Sequence, residues 1–202
     1  MLRVLAYLAP LAVGLGVPAA LALARQKPPR RRAAPAALVL GATLAVLSPL
    51  AFSESLSAFL KLAILLAGFS ALVAGAYLLA EALGGSPELA QVAAGLLSIG
   101  LLSTVFWFKP VLADAEERGL SEAEIAGRID LALEVNPFMV TGYSIFGDSL
   151  LHRASLYPIQ IEDFKHSYPR WGATAAGYAG AGLAFFLAAL GAGALRRRLW
   201  TP

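Results

Sequence analysis

Cysteine is missing from this 202-residue chain, histidine occurs only twice, and charged residues make up 14%. The first absence excludes disulfides, thiolate metal sites and cysteine nucleophiles. The second leaves His152 and His166, with Glu162 and Asp163 between them, far from the i,i+4 pairing of a helical metal site. No metal or other cofactor is expected. The third lies well below the roughly 25% charge of a soluble domain. Phosphate-binding loops of the Walker type are also lacking, so the chain itself is not expected to hydrolyse nucleotide. Its basic runs flank apolar stretches rather than alternating with aromatics, which speaks against nucleic acid as a partner. Asp148, Ser149 and His152 stand close together, but "GYSIFG" has Phe146 where a nucleophile elbow requires glycine. The chain is therefore read as no enzyme.

What is present is apolar: 58% hydrophobic residues and a mean hydropathy of +0.70. Five stretches, Leu2–Ala24, Ala36–Phe52, Ser57–Leu83, Leu89–Phe108 and Ala173–Leu195, each reach the minimum of about 17 residues that crosses hydrocarbon as a helix. The expected fold is all-α: a polytopic membrane protein with five transmembrane helices. Residues 1–108 form a four-helix region, 109–172 a mainly helical extracytoplasmic segment, and 173–202 the fifth helix with a basic tail.

Arginine and lysine set the direction. The loop 25–35 carries Arg25, Lys27, Arg30, Arg31 and Arg32, and the tail carries Arg196, Arg197 and Arg198. An odd number of crossings puts both clusters on one side, the cytoplasmic one. Residues 109–172 then lie outside with six basic and ten acidic residues, a net of −4. This reading places the chain in the cytoplasmic membrane with its N-terminus outside. Cleavage after Ala22–Ala24 would instead expose the arginine loop outside and invert every later loop, so the first span is read as retained.

Between helices in lipid, close packing falls to small residues. Ala176, Gly180, Ala184, Ala188 and Ala192 recur every fourth position of span five, a helix-packing face for the bundle or for a second subunit. Ala67, Ala71 and Gly75 repeat the interval in span three. No ionisable group falls at mid-depth, which argues against a stand-alone channel or proton pump.

The outside segment has its own signals. Leu120, Ser121, Glu124 and Ile125 compose a capping box with a hydrophobic staple, opening a helix that should run to about Glu134. Asn136 and Pro137 then cap and start another helix. At helical period Met139, Tyr143, Phe146 and Leu150 form its apolar face, opposite Thr141, Ser144, Asp148 and His152. The pattern predicts an amphipathic helix, ending before Pro158, on the outer surface or against the outer helix ends.

The order of an apolar span, an outside loop with "NPF", an interfacial helix, "YPRWG", a last span and "RRR" resembles the C-terminal part of type-2 ABC exporter permeases, over about Leu97–Arg198. That resemblance implies a dimeric export channel, an outer gate that includes the outside helix, and a separate ATPase subunit as partner. The chain departs from that pattern in having five spans with the N-terminus outside, and in its short inner loop, "GGSPE". The same architecture suits an accessory or scaffold subunit of a larger membrane complex.

Overall fold

The computed structural model describes residues 2–24, 33–107, 114, 117–147 and 169–200, and they are helical with no strand among them. The elements are α1 (Leu2–Leu23), α2 (Ala33–Leu47), α3 (Leu50–Ser53), α4 (Leu56–Ala82) and α5 (Pro87–Ser103). Next come a 3-10 turn (Thr104–Trp107), α6 (Glu122–Glu134), α7 (Pro137–Met139), a π-helical segment (Val140–Phe146) and α8 (Trp171–Trp200). Among the described residues, four helices are long and apolar enough to cross a membrane: Arg3–Leu23, Ala34–Ser53, Leu56–Ala82 and Trp171–Arg196. The fourth stretch in sequence order is shorter as an α-helix, 17 residues, and tightens into the 3-10 turn at its end.

Local chemistry explains the boundaries. Pro49 cannot donate its nitrogen, so α2 stops, turns through Ser48 and resumes as α3. Ser55 and Ser86 each accept a backbone N–H, from Ala58 and Leu89, and so cap α4 and α5. Pro87 lies in the first turn of α5, where its missing N–H costs nothing.

The bundle is built around α4. Of the residues in its most apolar stretch 56% are buried, against 11% for α8, which is therefore a peripheral helix. Leu62, Leu65, Leu66 and Phe69 of α4 meet Val13 and Val17 of α1 and Ala90 and Ala94 of α5 in one core. Ser98 on α5 shares its hydroxyl proton between Ala94 O in its own helix and Gly14 O of α1, at 2.9 and 3.0 Å. The outer belt remains apolar: Leu60, Ile64, Leu96, Leu183 and Leu187 are all exposed. Such a belt suits hydrocarbon rather than water.

α8 lies backbone to backbone on α4. A Cβ at Gly182 would stand 2.5 Å from the carbonyl carbon of Ala71, and one at Gly75 would stand 2.5 Å from Gly182 O. Ala175, Tyr178, Ala181 and Phe185 complete the face that α8 turns to the core. The small-residue stripe lies on another side of α8: Ala176, Gly180, Ala184 and Ala188 are exposed and Ala192 is half-buried.

Two contacts tie helix ends together. Arg3, at the start of α1, donates from Nε and Nη2 to the two carboxylate oxygens of Glu54, at 2.7 and 2.6 Å, beside the start of α4. At the opposite end of α4, the Arg196 guanidinium lies 3.7 Å from the position a Cβ would take on Gly84.

Candidate functional site

The polar chemistry gathers at the Arg3 end of the bundle, where the ends of α5 and α6 and the start of α8 meet. α6 opens with the expected capping box. Ser121 N–H donates to Glu124 Oε2 at 2.9 Å, and Glu124 N–H donates to Ser121 Oγ at 3.4 Å. The Ser121 hydroxyl donates to the same carboxylate and, with the backbone bond, holds Glu124 below the usual glutamate range. Ile125, Ile129 and Leu133, one turn apart, are the buried stripe of α6.

A helix leaves its last carbonyls without intrahelical partners. Here hydroxyls from the long helices supply them. Thr104, just past α5, donates to Ala132 O at 3.1 Å, shared with Leu101 O. Thr174 on α8 donates to Glu134 O at 3.0 Å, shared with Arg170 O. Tyr178, one turn further along α8, donates to Val135 O at 2.6 Å. α6 thus ends in a socket made by two different long helices.

Asn136 joins the socket to α7. It is fully buried, and its Oδ1 accepts the N–H groups of Phe138 and Met139 at 2.9 and 3.1 Å. Its Nδ2 donates to Leu102 O and Thr104 Oγ1 at 2.9 and 3.0 Å. Two donors and two acceptors exhaust an asparagine amide. Pro137 then opens α7 with its ring buried.

From Val140 the backbone widens into π-helix and stops at Gly147, whose φ of 67° is left-handed and whose N–H donates to Gly142 O. Only glycine takes that angle without penalty. The wider turn changes which side chains face inward. Met139 is fully buried and Tyr143 and Phe146 are half-buried, but Thr141, expected on the polar face, is fully buried too and donates to Pro137 O at 2.7 Å. Ser144, from the same polar set, accepts the Trp171 N–H at 3.0 Å and so caps the start of α8. Leu150, Asp148, Ser149, His152, Glu162, Asp163 and His166 lie outside the described residues.

Aromatic contacts fasten the segment to α1. Tyr7 sits 5.3 Å from the Phe138 ring and 6.0 Å from the Phe146 ring, and the Arg3 guanidinium lies 5.8 Å over Phe146. Arg3 therefore touches both the π-segment and Glu54. Its hydrogen bonds hold the Glu54 carboxyl below the ordinary range.

The arrangement is a reciprocal clamp: Ser144 caps α8, while Thr174 and Tyr178 of α8 cap α6. Among the described residues no group of three His, Asp or Glu side chains stands close enough to hold a metal ion. Sequence patterns point to Asn136 and Pro137, and to Ser144 as part of a polar face, but not to Thr104, Thr174, Tyr178 or Tyr7. A lone tyrosine among the alanines and glycines of "ATAAGYAGAG" is the one signal for Tyr178. The chain matches no protein-family model, no curated protein and no solved structure.

Proposed function

We propose that this chain is an integral membrane subunit of a transport complex, non-catalytic by itself, with a second half resembling type-2 ABC exporter permeases. The reciprocal clamp carries the reading, because it links the outside segment to the two helices that flank it in sequence. A displacement of α8 against α5 strains the hydroxyl contacts of Thr104, Thr174 and Tyr178 and so reaches the segment directly. That is the coupling an outer gate needs.

In this reading the chain crosses the cytoplasmic membrane five times, with α5 and its 3-10 turn as the fourth crossing. At rises of about 1.5 and 2.0 Å per residue they extend about 33 Å, enough for a hydrocarbon core of about 30 Å. The Arg3–Glu54 pair supports a common outer level for the starts of α1 and α4. The nearness of Arg196 to Gly84 supports a common inner level for the end of α8 and the α4–α5 turn. Because the chain has no cysteine of its own, single replacements test the sidedness. Ser121→Cys should react with a membrane-impermeant maleimide on intact cells, and Ser86→Cys only after lysis. The reverse pattern overturns the topology.

The partner in this reading is a separate ATPase. Purification of the tagged chain from its native membrane should bring down a P-loop ATPase, with nucleotide-dependent labelling of Ser121→Cys. A second reading, an accessory or scaffold subunit, draws on α8. Its small-residue face at Ala176, Gly180, Ala184 and Ala188 is exposed and fits a helix of another membrane subunit or of a second copy. Recovery of the subunits of another membrane assembly, without an ATPase, favours that reading.

A further inference from the structure

A cleft of about 300 Å³ separates α1 from α2, walled by Leu5, Leu8 and Ala12 of one helix and Ala42 and Val46 of the other. Its floor is buried, with Ala9 at 3% and Leu47 at 1% exposure, while Leu8 and Val46 on the rim are 50% and 60% exposed. Among the described residues no ionisable group lines it. The hydroxyl of Thr43 donates to Val39 O at 2.8 Å within its own helix. Charge complementarity therefore favours an uncharged, apolar occupant, since this lining hydroxyl already has its partner.

The shape narrows the choice further. Below the cleft α1 and α2 touch, because a Cβ on Gly16 would stand 2.9 Å from Val39 Cγ1. The cleft residues lie between that contact and the Arg3–Glu54 pair. Ala12, the deepest α1 residue of the cleft, lies about 15 Å along the helix axis from Leu2 at 1.5 Å per residue. That depth is half of a hydrocarbon core of about 30 Å, the reach of one leaflet. A second helix laid lengthwise between α1 and α2 would meet the point where the Gly16–Val39 contact closes the groove.

We infer that this cleft holds one acyl chain of a phospholipid from the leaflet on the Arg3 side. The inference rests on the membrane reading proposed above. A resident chain fills the gap that α1 and α2 leave between them and completes the packing of this flank without any protein partner.

The test uses the full-length chain in phosphatidylcholine vesicles doped with a phosphatidylcholine carrying a mid-chain diazirine. After photolysis, adducts on Leu5–Ala12 and Ala42–Leu47 should exceed those on the lipid-facing Leu183–Leu187 by about tenfold, the ratio given by 1.4 kcal/mol of preference. Joint Ala12→Phe and Ala42→Phe replacements should abolish that excess and leave Leu183–Leu187 unchanged. Ala42→Leu alone, at an exposed position, should reduce it and keeps the test readable if the double variant does not accumulate. Equal labelling of both regions, or an excess that survives filling, overturns the inference and leaves the membrane reading intact. So does efficient dimer formation by Ala42→Cys with a short bismaleimide, which assigns the cleft to a second copy. Absence of adducts in both regions removes the membrane reading and the inference together.

Discussion

α8 is held in two ways: by hydrogen bonds from Thr174 and Tyr178 to the end of α6, and by backbone contact with α4 at Ala175 and Gly182. The two joints fail in opposite ways. Water does not drive helices together in lipid, so the seam depends on close approach and tolerates no added atom. The cap depends on buried polar atoms being paired and tolerates no removed atom. One helix therefore carries positions sensitive to growth and positions sensitive to truncation, beside an exposed face that is indifferent to both.

The largest effect is expected at the seam. Gly182→Leu must force α4 and α8 apart and should cost more than about 3 kcal/mol, at the upper end of overpacking penalties. Gly180→Leu, with open space at its Cβ, should stay within about 0.5 kcal/mol. Reversible unfolding in mixed detergent, followed by ellipticity, measures both, and similar losses would erase the distinction between the two faces. If Gly180→Leu is stable but dissociates a native complex, the exposed face is the docking surface.

At the cap, Asn136→Ala removes two backbone caps and the side-chain donor to Leu102 O, for an expected loss of about 2–3 kcal/mol. The same unfolding assay applies, and a loss comparable to that of an exposed alanine substitution would show that the socket is not a stabilising joint. Tyr178→Phe strands only Val135 O and should cost about 0.5–1.5 kcal/mol. Its specific mark is faster amide exchange at the end of α6 with the seam unaffected. Uniform acceleration across α4 and α8 would mean that the ring, not the hydroxyl, holds the joint.

The smallest effect is one of pH. Glu124 has a depressed pKa in the folded chain, so its contribution is fully present above the ordinary glutamate value of about 4.3 and is lost as pH falls through the lower folded value. Amide protection over Ser121–Ile125 should decline on acidification in that window, and Glu124→Gln should flatten the decline. Protection that is independent of pH in the unsubstituted chain would remove the carboxylate from the account of this helix start.

The contrast between local and distant partners also decides what the residues reveal on their own. The Ser121–Glu124 capping box is legible because both partners lie three positions apart, and α6 ends at Glu134 as its pattern predicts. Asn136 reads as a cap for the same reason. Its donor half does not, because Leu102 and Thr104 are distant in sequence. After Pro137 a period of 3.6 groups Thr141 with exposed polar residues, whereas the π-helix brings it inside. The stop at Gly147 has a signal in the glycine itself, since a left-handed terminal residue is so often glycine. For α8, both faces carry small residues. The four-residue stripe stands out more in sequence, yet the face with Tyr178 and Phe185 meets α4, because Gly182 matches the backbone of Ala71. Complementarity between two surfaces is not a property of either one alone.

The α4–α8 seam joins two helices with α5, α6 and α7 between them in sequence, and this sets an order of events on the ribosome. α1, α2, α4 and α5 can associate as soon as they emerge, while the glycine-lined flank of α4 waits for α8. Until Thr174 and Tyr178 arrive, the carbonyls of Glu134 and Val135 lack the hydroxyls that complete the socket. A nascent chain stalled before Trp171 is therefore a three-sided intermediate with an open flank, the form that membrane quality control would meet first.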